Sequence, residues 1–177
     1  MLTETITRST SVAAVMLALS CASTTAWAQA PTLPATDVTA ADMTRFIDAL
    51  PKDAISDLPV RVVDVGGHRV GVYGVFRPKD QPGDAIAHET KTAEVYYILE
   101  GAGVLVTGGT ITDLKPPPPG RNPGPRGDRI VGGVSRRVSA GDLIVIPGRT
   151  PHWWSSLEGD IRYMIVRSDP AGVMRLK

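Results

Sequence analysis

Two periodicities divide the chain. Met43, Phe46, Ile47 and Leu50 recur at i, i+3, i+4 and i+7, the apolar stripe of a short amphipathic helix. Thr39 ahead of it has the chemistry of an N-cap, with Asp42 three positions on, and Pro51 stops the helix. After Pro59 the period shortens to that of strands. Val60–Val65 and Arg69–Phe76 flank Gly66-Gly67, a hairpin signal. Further strands are predicted over Glu94–Leu99, Val104–Thr107, one or two within Arg129–Val138, then Leu143–Ile146, His152–Ser155 and Ile161–Arg167. Short strands at close spacing with turn residues between them predict an all-β sandwich or barrel with a short N-terminal helix.

One stretch breaks that rhythm. Residues 109–129, GTITDLKPPPPGRNPGPRGDR, carry four consecutive prolines, which no central strand tolerates. A long surface loop is predicted there, stiff where the prolines cluster. Its functional readings are a lid over a barrel mouth or a contact for a partner.

Residues 1–28 form a separate class of segment. Arg8 precedes an apolar run from Val12 to Leu19, and Ala26-Trp27-Ala28 supplies a small-x-small pattern before Gln29. This is the anatomy of a secretory signal peptide cleaved after Ala28, and the run is too short to span a bilayer. Cys21 raises the rival of a lipoprotein anchor, but Ala18 stands where such signals carry Leu or Val. A periplasmic or secreted protein is expected. Residues 29–58 then form an extension with the helix, 59–170 the barrel, and 171–177 a tail. Cys21 is the only cysteine, so cleavage would leave neither a disulfide nor a catalytic thiol.

The formal net charge is +1, and Arg136-Arg137 is the only adjacent basic pair, so no nucleic-acid or charged-membrane partner is indicated. Eighteen glycines and fifteen prolines agree with a turn-rich globular domain. There is no P-loop, dinucleotide fingerprint, CxxC or G-x-S-x-G elbow.

The chemistry concentrates in two stretches. The first runs from Gly83 through His88, Thr90 and Glu94 to Gly101; the second holds Gly141, Pro147 and His152. Together they resemble the two signature motifs of the cupin superfamily: a histidine pair, a glutamate and a closing glycine, then a glycine, a proline and a histidine. The resemblance covers about residues 60–168 and implies a double-stranded β-helix, or jelly-roll, barrel. It implies a metal held by three histidines and one glutamate, of which matched positions here supply His88, Glu94 and His152. Thr90 stands at the second histidine of the pair, Arg149 where a glycine is expected, and Ser156 at the motif's final asparagine.

Two imidazoles and one carboxylate are ligand types of open Fe(II) sites and of some zinc hydrolases, so a divalent transition metal such as Fe, Mn or Zn is expected. Strand alternation places His88 and Thr90 on one face, and Glu94, Tyr96 and Ile98 on another inward face. It turns Trp154 inward with His152, and Trp153 outward. Tyr96, Ile98 and Trp154 are expected to line the cavity, with Trp154 serving either ligand stacking or core and dimer packing. Tyr96 and Thr90 are the candidate proton-handling residues. Thr90 could orient a water or bond Glu94, or it could mark a lost site. His68 is expected to be an exposed turn residue and Tyr97 to face outward. The functional alternatives are a metal-dependent enzyme of dioxygenase, lyase or isomerase type acting on a small oxygen-bearing molecule, and a non-catalytic small-molecule or carbohydrate-binding barrel. A homodimer through the sheets is compatible with either.

Overall fold

In the computed structural model, residues 32–116 and 124–177 are described; the signal-peptide and Cys21 readings, and residues 117–123 of the proline-rich stretch, lie outside them. The helix α1 spans Ala40–Asp48, and Thr39 caps it by accepting from the Asp42 backbone N–H. Twelve strands follow among the described residues: β1 Ser56–Asp64, β2 Arg69–Arg77, β3 Ala85–Ile86, β4 Ala93–Glu100, β5 Ala102–Thr107, β6 Thr110–Thr112, β7 Arg126–Gly127, β8 Arg129–Val131, β9 Val134–Ser139, β10 Leu143–Ile146, β11 His152–Leu157 and β12 Ile161–Asp169. They build one five-stranded sheet in the order β1-β2-β12-β4-β10, a second in the order β7-β3-β11-β5-β9, and the small pair β6-β8. Every pairing is antiparallel.

The two large sheets face each other over a core that includes Val75, Tyr96, Ile98, Leu105, Ile146, Trp154, Ile161, Tyr163 and Ile165. Strand alternation explains its composition. Along β12, Ile161, Tyr163 and Ile165 are each about 1% exposed or less, and they are every second residue. Fully burying one such side chain is worth about 1.5–3 kcal/mol. Two further layers cover the outer faces. Met43, Ile47 and Leu50 of α1 and its following turn pack with Phe76 on the first sheet. Ile130 and Ile111 of the β6-β8 pair pack with Ala85, Val106 and Trp153 on the second. Trp153 thus faces out of the barrel and Trp154 into it, as the alternation predicts.

Three expectations need correction. β1 starts at Ser56 rather than after Pro59, because it is an edge strand and its register slips between Pro59 and Arg61; an edge or bulge is where a strand accommodates proline. The stretch 109–129 is not loop throughout: Thr110–Thr112 pairs with Arg129–Val131, and Arg126–Gly127 pairs with Ala85–Ile86. Residues 87–92 belong to no strand, with a bend at 89–91, so strand alternation does not set the directions of His88 and Thr90. His68 lies exposed in the β1–β2 turn, whose Gly66 and Gly67 N–H groups donate to Asp64 Oδ1. Tyr97 faces outward, 39% exposed.

The chain end returns to the barrel. Lys177 and Val62 exchange backbone hydrogen bonds of 3.1 Å. Arg69 donates to the carbonyls of Gly172 and Met174, and Asp169 Oδ2 accepts the Met174 N–H at 2.7 Å.

Candidate metal centre

Glu94 lies near the start of β4 and is 1% exposed. His88 reaches it from the bend after β3, with Nε2 at 3.2 Å from Oε1. His152 opens β11 in the opposite sheet, its Nε2 at 3.3 Å from Glu94 Oε2. The sequence positions differ by 64 residues, but the barrel brings all three ligand atoms within 4.8 Å of one another. This group could hold a metal ion.

The loops that carry the histidines are locked together. Gly148 lies so close to the Lys91 backbone that a Cβ there would sit 2.7 Å from its carbonyl. Arg149, in the position where the motif expects glycine, adopts the left-handed backbone with φ 65°, a conformation that glycine enters at no steric cost. Its Nε donates to the Glu89 carbonyl at 3.1 Å. That long-range bond accompanies the strained backbone and ties the His152 loop to the His88 bend. Gly101, the closing glycine of the first motif, has φ 85° and lies 2.3 Å, measured from an added Cβ, from the Asp160 carbonyl; no other residue fits there.

The donor set can be tested by its protons. His152 Nδ1 lies 2.9 Å from the Thr150 carbonyl; a carbonyl only accepts, so Nδ1 carries the hydrogen and Nε2 of the neutral ring presents a lone pair. Burial pushes the His152 pKa below the ordinary histidine value in spite of Glu94, which favours that neutral form. Nε2 is buried and makes no hydrogen bond. It therefore points a lone pair at a carboxylate oxygen. Burial alone would raise the Glu94 pKa, but the hydrogen bond with His88 and the charge of Arg167 outweigh it and hold the carboxyl ionised, well below the usual range. A lone pair facing a carboxylate in a buried site is the arrangement that a cation between them satisfies. The residues present fit a divalent metal.

A residue that the motifs do not contain completes the site. Arg167 of β12, in register with Glu94, donates from Nε to Glu94 Oε1 at 2.7 Å and from both terminal nitrogens to Asp57, at 3.1 and 2.6 Å. Its guanidinium lies 4.1 Å from the Tyr73 ring centroid. Arg167 continues the inward parity of Ile161, Tyr163 and Ile165, so a charge at an inward strand position was the available signal. Asp57 had none, because it precedes Pro59 outside the expected strand.

The other expected residues are placed as follows. Thr90 donates to Thr92 Oγ1 at 2.9 Å rather than to Glu94. Tyr96 donates to Glu94 Oε2 at 3.3 Å, and burial followed by the Glu94 charge raises its pKa well above the ordinary phenol value. Tyr96, Ile98 and Trp154 belong to the closed core. The open cavity, about 660 Å³, is lined instead by His88, Thr90, Thr92, Tyr73, Asp57, Arg167, Ile86, Arg126 and Met174, among others. The expectation that Tyr96, Ile98 and Trp154 line it is therefore corrected: with Tyr163 they pack in the core of the barrel, and Glu94 and His152 meet the cavity through His88, which lines it and contacts both.

Both sequence motifs thus meet on facing sheets of one antiparallel jelly roll, at one cluster. The fold is the double-stranded β-helix of the cupins. No family model and no curated protein matches the chain. Among solved structures, it is similar to the Bacillus halodurans protein BH2720 at 14% identity, covering 77% of this chain and 83% of that one, TM-score 0.47. It is also similar to an RmlC-like cupin protein from Desulfovibrio desulfuricans at 14% identity, covering 70% and 91%, TM-score 0.42. A cobalt(II) form of HppE in complex with Tris buffer is 13% identical over 68% of this chain and 57% of that one, TM-score 0.42.

Proposed function

We propose that this cupin-fold chain is a metal-dependent enzyme of dioxygenase, lyase or isomerase type, acting on a small oxygen-bearing molecule. One observation carries the reading: the lone pair of His152 Nε2 faces the buried Glu94 carboxylate, beside His88 on the wall of an open cavity. His88, Glu94 and His152 would hold the ion, leaving positions toward the cavity. Bound there, a divalent metal would supply Lewis-acid polarisation or open positions for substrate oxygen. The chain's own residues do the rest. Thr150 fixes the His152 tautomer, Arg167 and Tyr96 orient Glu94, and the aromatic core beneath excludes water.

Metal analysis of the purified protein tests this. Wild-type protein should carry near-stoichiometric iron, manganese or zinc, and His152→Ala should lose most of it. Equal metal in both would overturn the assignment.

A second reading, a binding barrel without turnover, is favoured by Arg167. Its guanidinium, shared with Asp57, already gives Glu94 a cationic hydrogen-bond partner without an ion. Ligand binding by chelator-treated protein, without product, would support that alternative.

Two further properties belong to the proposal. Residues 1–28 direct export, supported by their charge and hydropathy pattern; N-terminal sequencing of the exported protein should begin at Gln29, and a start at Met1 or Cys21 would refute that cleavage. The outward apolar residues Tyr97, Leu143 and Val145 support a homodimer contact. No helix of the described residues is long and apolar enough to cross a membrane.

A further inference from the structure

Among the described residues two arginines line the cavity, Arg126 and Arg167. Arg167 bonds through all three of its nitrogens, to Asp57 and Glu94. Arg126 does not. Its side chain is 14% exposed. Nε is buried without a hydrogen-bond partner, and among the described residues Nη1 reaches Asp84 Oδ2 at a long 3.4 Å. That carboxylate is shared with Lys115, whose Nζ lies 3.2 Å from its other oxygen. A guanidinium has five N–H donors in a fixed fork, and a buried, unmet donor at a cavity wall calls for an acceptor.

Register fixes where that fork lies. Arg126 pairs with Ile86 across β7 and β3, and Ile86 pairs with His152 across β3 and β11. Residues opposite one another on antiparallel strands share a face, so Arg126, Ile86 and His152 form one inward row. Adjacent strands lie about 4.8 Å apart, which puts the two ends of the row about 10 Å apart at the backbone. The row therefore runs from a cation, across an apolar side chain, to the metal-binding imidazole. The backbone at the cation end is pinned, since the Arg126 carbonyl accepts from Lys115 N–H at 2.9 Å.

We infer that Arg126 is the carboxylate-binding residue of this cavity and that the ligand is a short organic acid. Its carboxylate takes the guanidinium fork, its hydrocarbon segment crosses Ile86, and its other oxygen-bearing end faces His88, Glu94 and His152. This deepens the proposed function and rests on its reading of the cavity as a ligand site, but not on the metal.

Calorimetric titration with glutarate and with its neutral diamide, glutaramide, tests the inference on chelator-treated and on metal-loaded protein. Glutarate should bind the chelator-treated wild-type protein and glutaramide should not. Arg126→Met should weaken glutarate by about tenfold or more, as loss of a charge-assisted bidentate pair does. Arg126→Lys, which keeps the charge but not the fork, should fall between. Equal binding of diacid and diamide, no glutarate binding by the wild-type protein, or unchanged affinity in Arg126→Met would each overturn it. Should Arg126→Met fail to fold, the diacid–diamide comparison on wild-type protein and the Arg126→Lys titration still decide. Glutarate binding in a protein that takes up no metal would uphold Arg126 and remove the metal reading instead.

Discussion

Glu94 is contacted by two imidazoles, a phenol and a guanidinium around one buried carboxylate. The order of these contacts matters for what a substitution does. Arg167 holds Glu94 and Asp57 at once, so Arg167→Met would leave two carboxylates without their cation. Removing one partner of a buried ion pair costs about 3–5 kcal/mol, and metal-free Arg167→Met should lose about that much in urea unfolding. Added zinc should then restore more stability to the variant than to the wild-type protein, because the ion takes over the charge that the guanidinium supplied. Equal unfolding midpoints for the two metal-free proteins would show that Arg167 does not stabilise Glu94. The cluster of His88, Glu94 and His152 was legible from the two motifs that resemble the cupin signatures. Arg167 was legible only as a parity signal, because its meeting with Glu94 depends on the β12–β4 register. Arg126 was not legible at all: a two-residue strand inside a proline- and glycine-rich stretch offers no alternation to read.

Most elements were announced by their periods, from the capped helix Ala40–Asp48 to the strands β2, β4, β5, β10, β11 and β12. Those that were missed, β3, β6 and β7, have two or three residues each, too few for a period, and they are strands because partners from distant parts of the chain pair with them. β10 raises a different point. Ile144 and Ile146 are buried, whereas Leu143 and Val145 are 63% and 62% exposed. It borders the first sheet at its far edge, and Leu143 sits opposite Tyr97 on the same outer face. An edge strand with an uncovered apolar face is a site for association. Replacing Leu143 and Val145 together by lysine should convert a dimer to a monomer in sedimentation velocity with metal content unchanged. A monomeric wild-type protein would refute this contact.

At the scale of the whole molecule, acid is the condition to which the fold should be most sensitive. His152 has a folded-state pKa below 6.5, so as pH falls beneath 6.5 the unfolded chain takes up a proton that the folded one refuses, and stability declines. Glu94, likewise lowered, adds a second decline below 4.5. The urea midpoint of metal-free protein should therefore drop between about pH 7 and about pH 5 and drop further below that, and His152→Gln should remove the first step. A midpoint independent of pH over that range would contradict these assignments. The place of β12 has a kinetic consequence. It is the last strand in the sequence and the central strand of its sheet, paired with β2 on one side and β4 on the other. Until it arrives, the sheet consists of two halves with open edges, and loop closure across most of the chain must precede its pairing. The guanidinium that Glu94 and Asp57 share travels on that strand. Folding should thus be slow and late in its decisive step, and Glu94 should gain its cationic partner only as the final strand docks.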